Sequence, residues 1–125
     1  LLSEIEQLSQ ELKTQLAPHR GRTFLVFHPS WGYFAGEFGL RQLAIEHEGK
    51  EPGPFQLTSI VKDAKRRGVA AVYLEPSFAR ESAEAIAREL NARVEVLDPL
   101  ASDWPANLRR VSTLLVRGFE ERPAQ

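Results

Sequence analysis

The chain has 125 residues, enough for one domain that buries about two thirds of the surface its unfolded form would expose. Its 16 Lys and Arg and 17 Asp and Glu are interspersed and leave a net charge of -1, which argues against nucleic acid or an anionic lipid surface as a partner. Because cysteine and methionine are both missing, disulfides, thiolate metal sites and thiol catalysis are excluded, and any metal must be held by nitrogen and oxygen.

The first predicted element is an amphipathic helix that ends at Pro18. Its apolar positions recur every three or four residues, with Glu, Gln and Lys between them: Leu1, Ile5, Leu8, Leu12 and Leu16. This stripe requires a partner surface. No apolar stretch in the chain approaches the roughly 20 residues that a membrane-spanning helix needs.

Strands and helices then alternate. Apolar and β-branched runs predict strands at residues 23–27, 42–46, 69–74 and 93–97. A short helix is predicted around residues 31–38 and ends at Gly39. Two further helices follow the apolar stripes Leu57, Ile60, Val61 and Ala64, which ends at Gly68, and Ala83, Ile86, Ala87 and Leu90. The last helix is predicted from about 103 to 120, and its core-facing residues are Trp104, Leu108, Val111, Leu115 and Phe119. Residues 47–54 form a surface loop. The order predicts an α/β fold with a four-stranded parallel sheet and helices on both faces.

Three of the predicted strands run into a polar residue followed by proline. These dipeptides are His28-Pro29, Glu75-Pro76 and Asp98-Pro99. A proline forces the residue before it into an extended conformation and cannot donate to a ladder, so each strand stops there. Because the carboxyl ends of parallel strands share one edge, where ligands bind in open α/β sheets, the three side chains predict a site at that edge.

Each candidate residue also has a plain structural interpretation. His28 could bond to a nearby carbonyl instead of a metal. Asp98 could cap the following turn, and Glu75 could favour the start of the next helix through the helix dipole. Aromatic residues such as Trp31 and Tyr33 are more often core, although the hydroxyl of Tyr33 could reach the rim of the site. The residues alone leave these alternatives open.

Five separated segments occur in the order typical of one family. They are Phe27-His28-Pro29-Ser30-Trp31-Gly32-Tyr33-Phe34, Phe38-Gly39-Leu40, Glu48-Gly49-Lys50-Glu51-Pro52, Leu74-Glu75-Pro76-Ser77-Phe78 and Leu97-Asp98-Pro99-Leu100. Over about residues 20–117 the chain resembles the C-terminal lobe of the zinc-type metal-binding solute-binding proteins of ABC importers. In that family two α/β lobes are joined by one long helix, and the ion lies between the lobes.

The resemblance implies the domain organisation. Residues 1–17 would be the C-terminal end of the linking helix, and residues 18–125 would be the C-terminal metal-binding lobe. The N-terminal lobe, with two expected histidine ligands, is missing from this chain.

The resemblance also implies the site residues and the metal. His28 and Asp98 would be the two ligands that this lobe supplies, with Glu75, Tyr33 and Trp31 behind them or at the rim. Manganese-type relatives generally carry a carboxylate where this chain has His28, and imidazole suits Zn²⁺ better than Mn²⁺, so zinc is the expected ion. Because two ligands are half a site, the isolated lobe should bind zinc weakly, and a symmetric dimer would restore four ligands.

The implied function is ion capture and delivery to the ABC permease, without enzymatic activity, in a periplasmic or extracellular protein that a lipid could anchor. Two alternatives use the same residues. A structural or adhesive α/β domain would need no metal, and a metal-assisted hydrolase would need a carboxylate base, for which Glu75 is the candidate.

Overall fold

The structure, a computed structural model, describes residues 2–76 and 80–121. The helices are α1 (Leu2–Leu16), α2 (Gly32–Phe38), α3 (Pro54–Arg66), α4 (Arg80–Leu90) and α5 (Trp104–Glu120). The strands are β1 (Thr23–Val26), β2 (Arg41–Ala44), β3 (Ala71–Leu74) and β4 (Arg93–Val96). A short 3-10 turn at Ala17–His19 follows α1. Every predicted helix and strand is present, and the alternation is confirmed.

The four strands form one parallel sheet in the order β2-β1-β3-β4. The two inner strands, β1 and β3, are buried along their whole length, whereas the edge strands β2 and β4 are partly exposed. An inner strand of a parallel sheet is covered on both faces, which explains why β1 and β3 are continuous apolar runs. The predicted four-stranded parallel α/β fold is therefore confirmed.

Two apolar layers cover the sheet, one on each face. Phe24 and Val26 of β1 face the layer that α1, α2 and α5 form, and Leu25 with the following Phe27 faces the layer of α3 and α4. This alternation follows from the two-residue period of a strand. The α1 stripe finds its partner surface here, because Leu8, Leu12 and Leu16 are buried against α5 and the sheet.

Side chains also tie α1 to α5. Glu11 accepts a hydrogen bond from the Nε of Arg109 at 2.8 Å, and the hydroxyl of Ser112 donates to the side chain of Gln15 at 2.7 Å. The Arg109 guanidinium holds the pKa of the Glu11 carboxyl below its usual range. The helix predicted to link two lobes is thus packed against α5 and the sheet.

Several predicted boundaries are wrong by one to three residues. The strand predicted from residue 69 begins at Ala71, because the backbone N–H of Val69 bonds to the carbonyl of Ala64 at 3.1 Å and completes the end of α3. α3 itself begins at Pro54, where a proline is tolerated because the first turn has no intrahelical donor to lose. The strand predicted at 42–46 lies at Arg41–Ala44, so the two residues after Ala44 lie beyond its end.

Trp104 was predicted to face the core, and that prediction is wrong. It is the first residue of α5 and is 47% exposed. The first turn of α5 lies beyond the end of β4 and borders a surface cavity of about 370 Å³ beside Ile5, so the indole has no sheet to pack against. Within the described residues, none of the helices combines the length and the apolar character that crossing a membrane requires.

Candidate functional site

Each strand of the sheet is followed by a residue that can bind a metal or a proton. In the order of the sheet these residues are Glu46 after β2, His28 after β1, Glu75 after β3 and Asp98 after β4. All four strands run in the same direction, so the four residues lie at one edge of the sheet. The structure therefore brings His28, Glu75 and Asp98 to a common edge and adds Glu46 to them.

The strand register places three of the four residues in one row. Val26 of β1 lies opposite Ala44 of β2 and Tyr73 of β3. Counting two residues onward on each strand gives the row Glu46, His28 and Glu75. Neighbouring strands lie about 4.8 Å apart, so β1 and β4 are separated by roughly 10 Å with β3 between them. That is the backbone separation that His28 and Asp98 would have to bridge.

The imidazole of His28 is bonded to a buried carboxylate. The distance between its Nδ1 and the Oε1 of Glu46 is 2.8 Å, and Glu46 is only 8% exposed. A carboxylate accepts, so Nδ1 carries the proton and donates. Since this bond engages Nδ1, a metal ion would bind through Nε2, as in the carboxylate–histidine–zinc arrangement.

The segment that follows His28 is fixed to both neighbouring strands. The hydroxyl of Ser30 donates a hydrogen bond to the carboxylate of Glu75, which ties the loop after β1 to the end of β3. The backbone N–H of Trp31 donates to the side-chain oxygen of Gln42 on β2 at 2.7 Å. The backbone N–H of Ser30 also bonds to the carbonyl of His28 at 2.8 Å, closing a tight turn. His28 is thus held on a braced segment.

Asp98 makes the turn that its structural interpretation predicts. Its Oδ1 accepts from the backbone N–H of Leu100 at 2.9 Å, and its carbonyl oxygen accepts from the side-chain amide of Asn107 at 2.7 Å. The second bond fixes the loop after β4 to α5. Using one carboxylate oxygen in the turn orients the group without preventing the other oxygen from binding a cation, so turn formation and ligation are compatible.

The two aromatic candidates lie in opposite environments. The indole of Trp31 is buried in the layer of α1, α2 and α5, where it meets the ring of Phe34 edge to face with centroids 6.0 Å apart. Its contribution to the edge is the backbone bond to Gln42. Tyr33 is 98% exposed, in the first turn of α2. Its predicted place at the rim of the site stays a prediction.

Two residues of this edge were not predicted as site residues. Glu46 is the last residue of the strand predicted at 42–46, and Ser30 lies in the family segment that begins at Phe27; neither is predicted to have a role in the site. Glu46 is followed by His47 instead of proline, so the dipeptide pattern that marks the other three strand ends does not mark it. The signal that could have found it is simpler: a carboxylate at the carboxyl end of every strand other than β1. Within residues 2–76 and 80–121, no three His, Asp or Glu side chains are grouped so that they could hold a metal by themselves.

Large apolar side chains are exposed at the same end of the molecule. They are Tyr33, Phe55, Leu100, Trp104 and Ile5. Tyr33, Phe55, Leu100 and Trp104 lie in the loops that follow the strands or in the first turns of the helices after those loops. Helix α1 ends close to the start of β1, so its first turns, with Ile5, lie toward the carboxyl ends of the strands. Large exposed apolar side chains near polar strand ends are a feature of interaction sites.

Comparisons with known proteins agree with these features. The family model for ZnuA, described as zinc-uptake complex component A, periplasmic, matches residues 1–117. The high-affinity zinc uptake system protein ZnuA of Yersinia pestis is 33% identical over 101 residues, which cover 79% of this chain and 32% of that protein. A crystal structure of ZnuA superposes with a TM-score of 0.91 at 44% identity, covering 95% of this chain and 47% of that one.

A further solved structure adds a second activity to the comparison. The laminin-binding protein Lmb of Streptococcus agalactiae, described as bifunctional with adhesin and metal-transporting activity, superposes with a TM-score of 0.85 at 31% identity. The match covers 94% of this chain and 49% of Lmb. The chain therefore spans about a third of the length of the curated relatives it matches and about half of the solved chains.

Proposed function

The chain belongs to the family of the periplasmic zinc-uptake component ZnuA, and on that premise we propose that it is the C-terminal lobe of a protein that captures Zn²⁺ and delivers it to an ABC importer. The observation that carries the proposal is the edge where His28, Glu75 and Asp98 follow parallel strands, with the imidazole held by Glu46. His28 and Asp98 are the ligands of this lobe, and Glu75, Tyr33 and Trp31 surround them.

The lobe supplies half of a site. Structural and transport zinc sites without an open position use four ligands, and the described residues gather no group of three by themselves. The remaining ligands come from an N-terminal lobe that faces this edge, and residues 1–17 are the end of the helix that joins the two lobes. The exposed Tyr33, Leu100 and Trp104 support this arrangement, since a facing lobe would cover them.

The ligand chemistry favours zinc over manganese. Imidazole nitrogen suits Zn²⁺, whereas Mn²⁺ prefers sites built from carboxylate, carbonyl and water oxygen. His28 brings such a nitrogen to the edge, and the bond from Nδ1 to Glu46 strengthens Nε2 as a donor.

The family description also supports the location and the partner. A periplasmic zinc-uptake component works outside the cytoplasmic membrane together with an ABC permease, so we place the protein in the periplasm or outside the cell. A lipid anchor in the longer protein would keep it close to the permease. The carboxyl edge of the sheet, which carries the ion, is the end that would approach the permease or the other lobe.

Zinc titration of single-site variants tests the proposal. We expect the chain to bind zinc weakly, and His28→Ala and Asp98→Ala each to reduce the affinity by about 100-fold or to abolish binding, because each removes half of the ligands that remain. His47→Ala is the matched control, since the side chain of His47 is 86% exposed and lies outside the row of strand ends. Isothermal titration calorimetry measures the affinities and the stoichiometry.

The outcomes separate the alternatives. Unchanged affinity in both His28→Ala and Asp98→Ala would defeat the transport assignment. One zinc for two chains, with a doubled mass in light scattering, would identify a symmetric dimer that completes the site from two lobes. Hydrolytic turnover that depends on zinc and on Glu75 would point instead to a metal-assisted enzyme.

A second candidate function is adhesion. The match to Lmb and the exposed apolar side chains at the carboxyl edge favour it. If this lobe binds a host protein such as laminin, Phe55→Ser combined with Leu100→Ser should weaken binding to immobilised laminin while leaving zinc affinity unchanged, because both side chains are exposed and neither is a proposed part of the zinc site. Equal laminin binding by the variant and the parent chain would count against adhesion through this edge.

A further inference from the structure

We propose that Glu46 is a positioning residue for the zinc-binding imidazole: it fixes the proton on Nδ1 of His28 and so keeps Nε2 as the metal-binding nitrogen. The inference rests on the proposed zinc function, which it deepens. It concerns a residue that the sequence pattern did not mark and that would not itself touch the ion.

Glu46 lies in a fixed place. Its backbone N–H donates to the carbonyl of Phe27 at 2.8 Å, so the pairing of β2 with β1 continues to this residue. Directly after it, the backbone groups of His47 and Lys50 bond to each other in both directions at 3.0 Å and close a small antiparallel turn. The main chain is therefore held on both sides of Glu46, and its carboxylate starts from a well-defined position.

The carboxylate is buried, which makes its bond to His28 consequential. Glu46 is 8% exposed, whereas the imidazole of His28 is 36% exposed. A buried carboxylate needs a hydrogen-bond donor, because leaving it unpaired carries the full cost of removing it from water. The Nδ1–H of His28 satisfies this need at 2.8 Å.

The position of Glu46 in the sheet decides the direction of the ring. β2 lies on one side of β1, and β3 and β4 lie on the other. The two nitrogens of an imidazole point in divergent directions, so a bond from Nδ1 toward Glu46 on the β2 side turns Nε2 away from β2. That is the direction in which Glu75 and Asp98 lie.

The chemical consequence is a better and more selective ligand. In metal sites, a carboxylate behind a histidine fixes the tautomer, restrains the ring and raises the basicity of the metal-binding nitrogen. Loss of such a partner typically lowers metal affinity by about 10- to 100-fold. We therefore expect Glu46 to act on zinc binding through His28 alone, without contacting the ion.

The competing explanation is that the pair serves only stability. A buried pair of charged groups contributes little to the free energy of unfolding, since the cost of removing the groups from water offsets much of their attraction. A purely structural role predicts that removing Glu46 lowers the unfolding midpoint and leaves the metal affinity of the folded protein unchanged. A positioning role predicts a change in the tautomer of His28 and in zinc affinity.

The experiment compares Glu46→Gln and Glu46→Ala with the parent chain. The isosteric Glu46→Gln keeps a hydrogen-bond acceptor but removes the charge, and it guards against loss of folding in Glu46→Ala. Glu48→Gln is the matched control, because it removes a carboxylate only two residues away whose side chain is 82% exposed. The nitrogen-15 shifts of His28, recorded without metal at alkaline pH where imidazole is neutral, report which nitrogen carries the proton.

We expect His28 to carry its proton on Nδ1 in the parent chain, in Glu48→Gln and in Glu46→Gln, and to lose this preference in Glu46→Ala. Zinc affinity should fall about 10- to 100-fold in Glu46→Ala and by a smaller factor in Glu46→Gln. Glu48→Gln should match the parent chain. The double variant with His28→Ala and Glu46→Ala should bind zinc with the same affinity as His28→Ala alone, because the two residues act as one unit.

Two results would overturn the inference. The first is a His28 tautomer that does not depend on Glu46. The second is a folded Glu46→Ala chain with the zinc affinity of the parent, while His28→Ala still loses binding; in that case the zinc site stands and only the positioning role falls. If His28→Ala itself leaves zinc affinity unchanged, the proposed function fails and the role of Glu46 in zinc binding fails with it, whatever the tautomer.

Discussion

The two ends of the sheet are built for different purposes. At the carboxyl end, polar strand ends such as His28 and Asp98 stand beside exposed apolar side chains such as Tyr33 and Leu100. At the amino end, Leu16 is fully buried, and the guanidinium of Arg93 pairs with Glu95 at 2.7 Å and with Glu121. At the carboxyl end the apolar side chains are left for a partner to cover, whereas at the amino end the apolar side chain is covered within the described chain. The ion pairs of Arg93 belong to this inner packing, although its Nη2 is buried without a hydrogen-bond partner among the described residues.

From this difference we expect stability and the proposed zinc binding to be separable. The polar residues of the carboxyl end lie beyond the last residues of the strands, so replacing the proposed ligands should leave the apolar layers intact. Variants at the amino end should therefore alter the free energy of unfolding and leave zinc affinity alone. Variants of the proposed ligands His28 and Asp98 at the carboxyl end should mainly alter zinc affinity.

Leu16→Ala is expected to have the largest effect on stability. Leu16 ends α1 and is 0% exposed, so its truncation should lower the free energy of unfolding by about 2–5 kcal/mol. The matched control is Leu100→Ala, the same change at a side chain that is 89% exposed at the carboxyl end, and it should stay within about 0.5 kcal/mol of the parent. Urea denaturation measures both, and similar losses in the two variants would refute the contrast.

Gly118→Ala should have an intermediate effect. A Cβ at Gly118 would collide with the hydroxyl of Tyr73, which donates to the carbonyl of Leu114 at 3.1 Å. Burial raises the pKa of Tyr73, so this hydroxyl stays protonated in the folded chain. We expect a loss of about 1–3 kcal/mol from overpacking.

Two controls test that explanation for Gly118. Gly36→Ala in α2, where nothing lies within 4 Å of the new Cβ, should be stabilising by up to about 1 kcal/mol. Tyr73→Phe should reduce the cost of Gly118→Ala, because it removes the oxygen that collides. Thermal unfolding that shows no such relief would place the cause elsewhere.

Asp63→Asn should have the smallest effect, visible only as a change in pH dependence. Hydrogen bonds from Arg66 at 2.5 Å and Arg67 at 3.0 Å, in the last turn of α3, lower the pKa of Asp63 from its ordinary value of 3.8. A depressed folded-state pKa contributes stability that is present above the unfolded value and is lost as the pH falls through the folded one. The difference between parent and Asp63→Asn should therefore be present above pH 3.8 and shrink below it.

Acid titration of the unfolding midpoint measures this difference. Replacing Arg66 and Arg67 by Gln in the parent should remove the same pH-dependent component, and adding Asp63→Asn to that double variant should change nothing further. A pH-dependent difference that survives without the two arginines would show that another charge lowers the pKa.

Sequence patterns predicted the fold well because local chemistry decides it. Gly39 ends α2 with a φ of 70°, a left-handed conformation that glycine adopts easily, and Pro29 follows the end of β1 as expected. What the sequence could not supply was the partner of each polar side chain. Glu46 meets His28 only because β2 is the neighbour of β1, and strand order depends on how the helices pack.

The packing of α1 also limits how such a protein could move. Helix α1 has 15 residues and, at 1.5 Å per residue, is about 22 Å long. Its C-terminal half is held by the buried Leu12 and Leu16 and by the bond from Arg109 to Glu11. Before the buried Leu8, the described side chain of Ile5 is 44% exposed and borders the open cavity next to Trp104. If α1 is the end of a linking helix, as we propose, a pivot between the two lobes should lie before Leu8, and opening and closing should be small rocking motions instead of a wide swing.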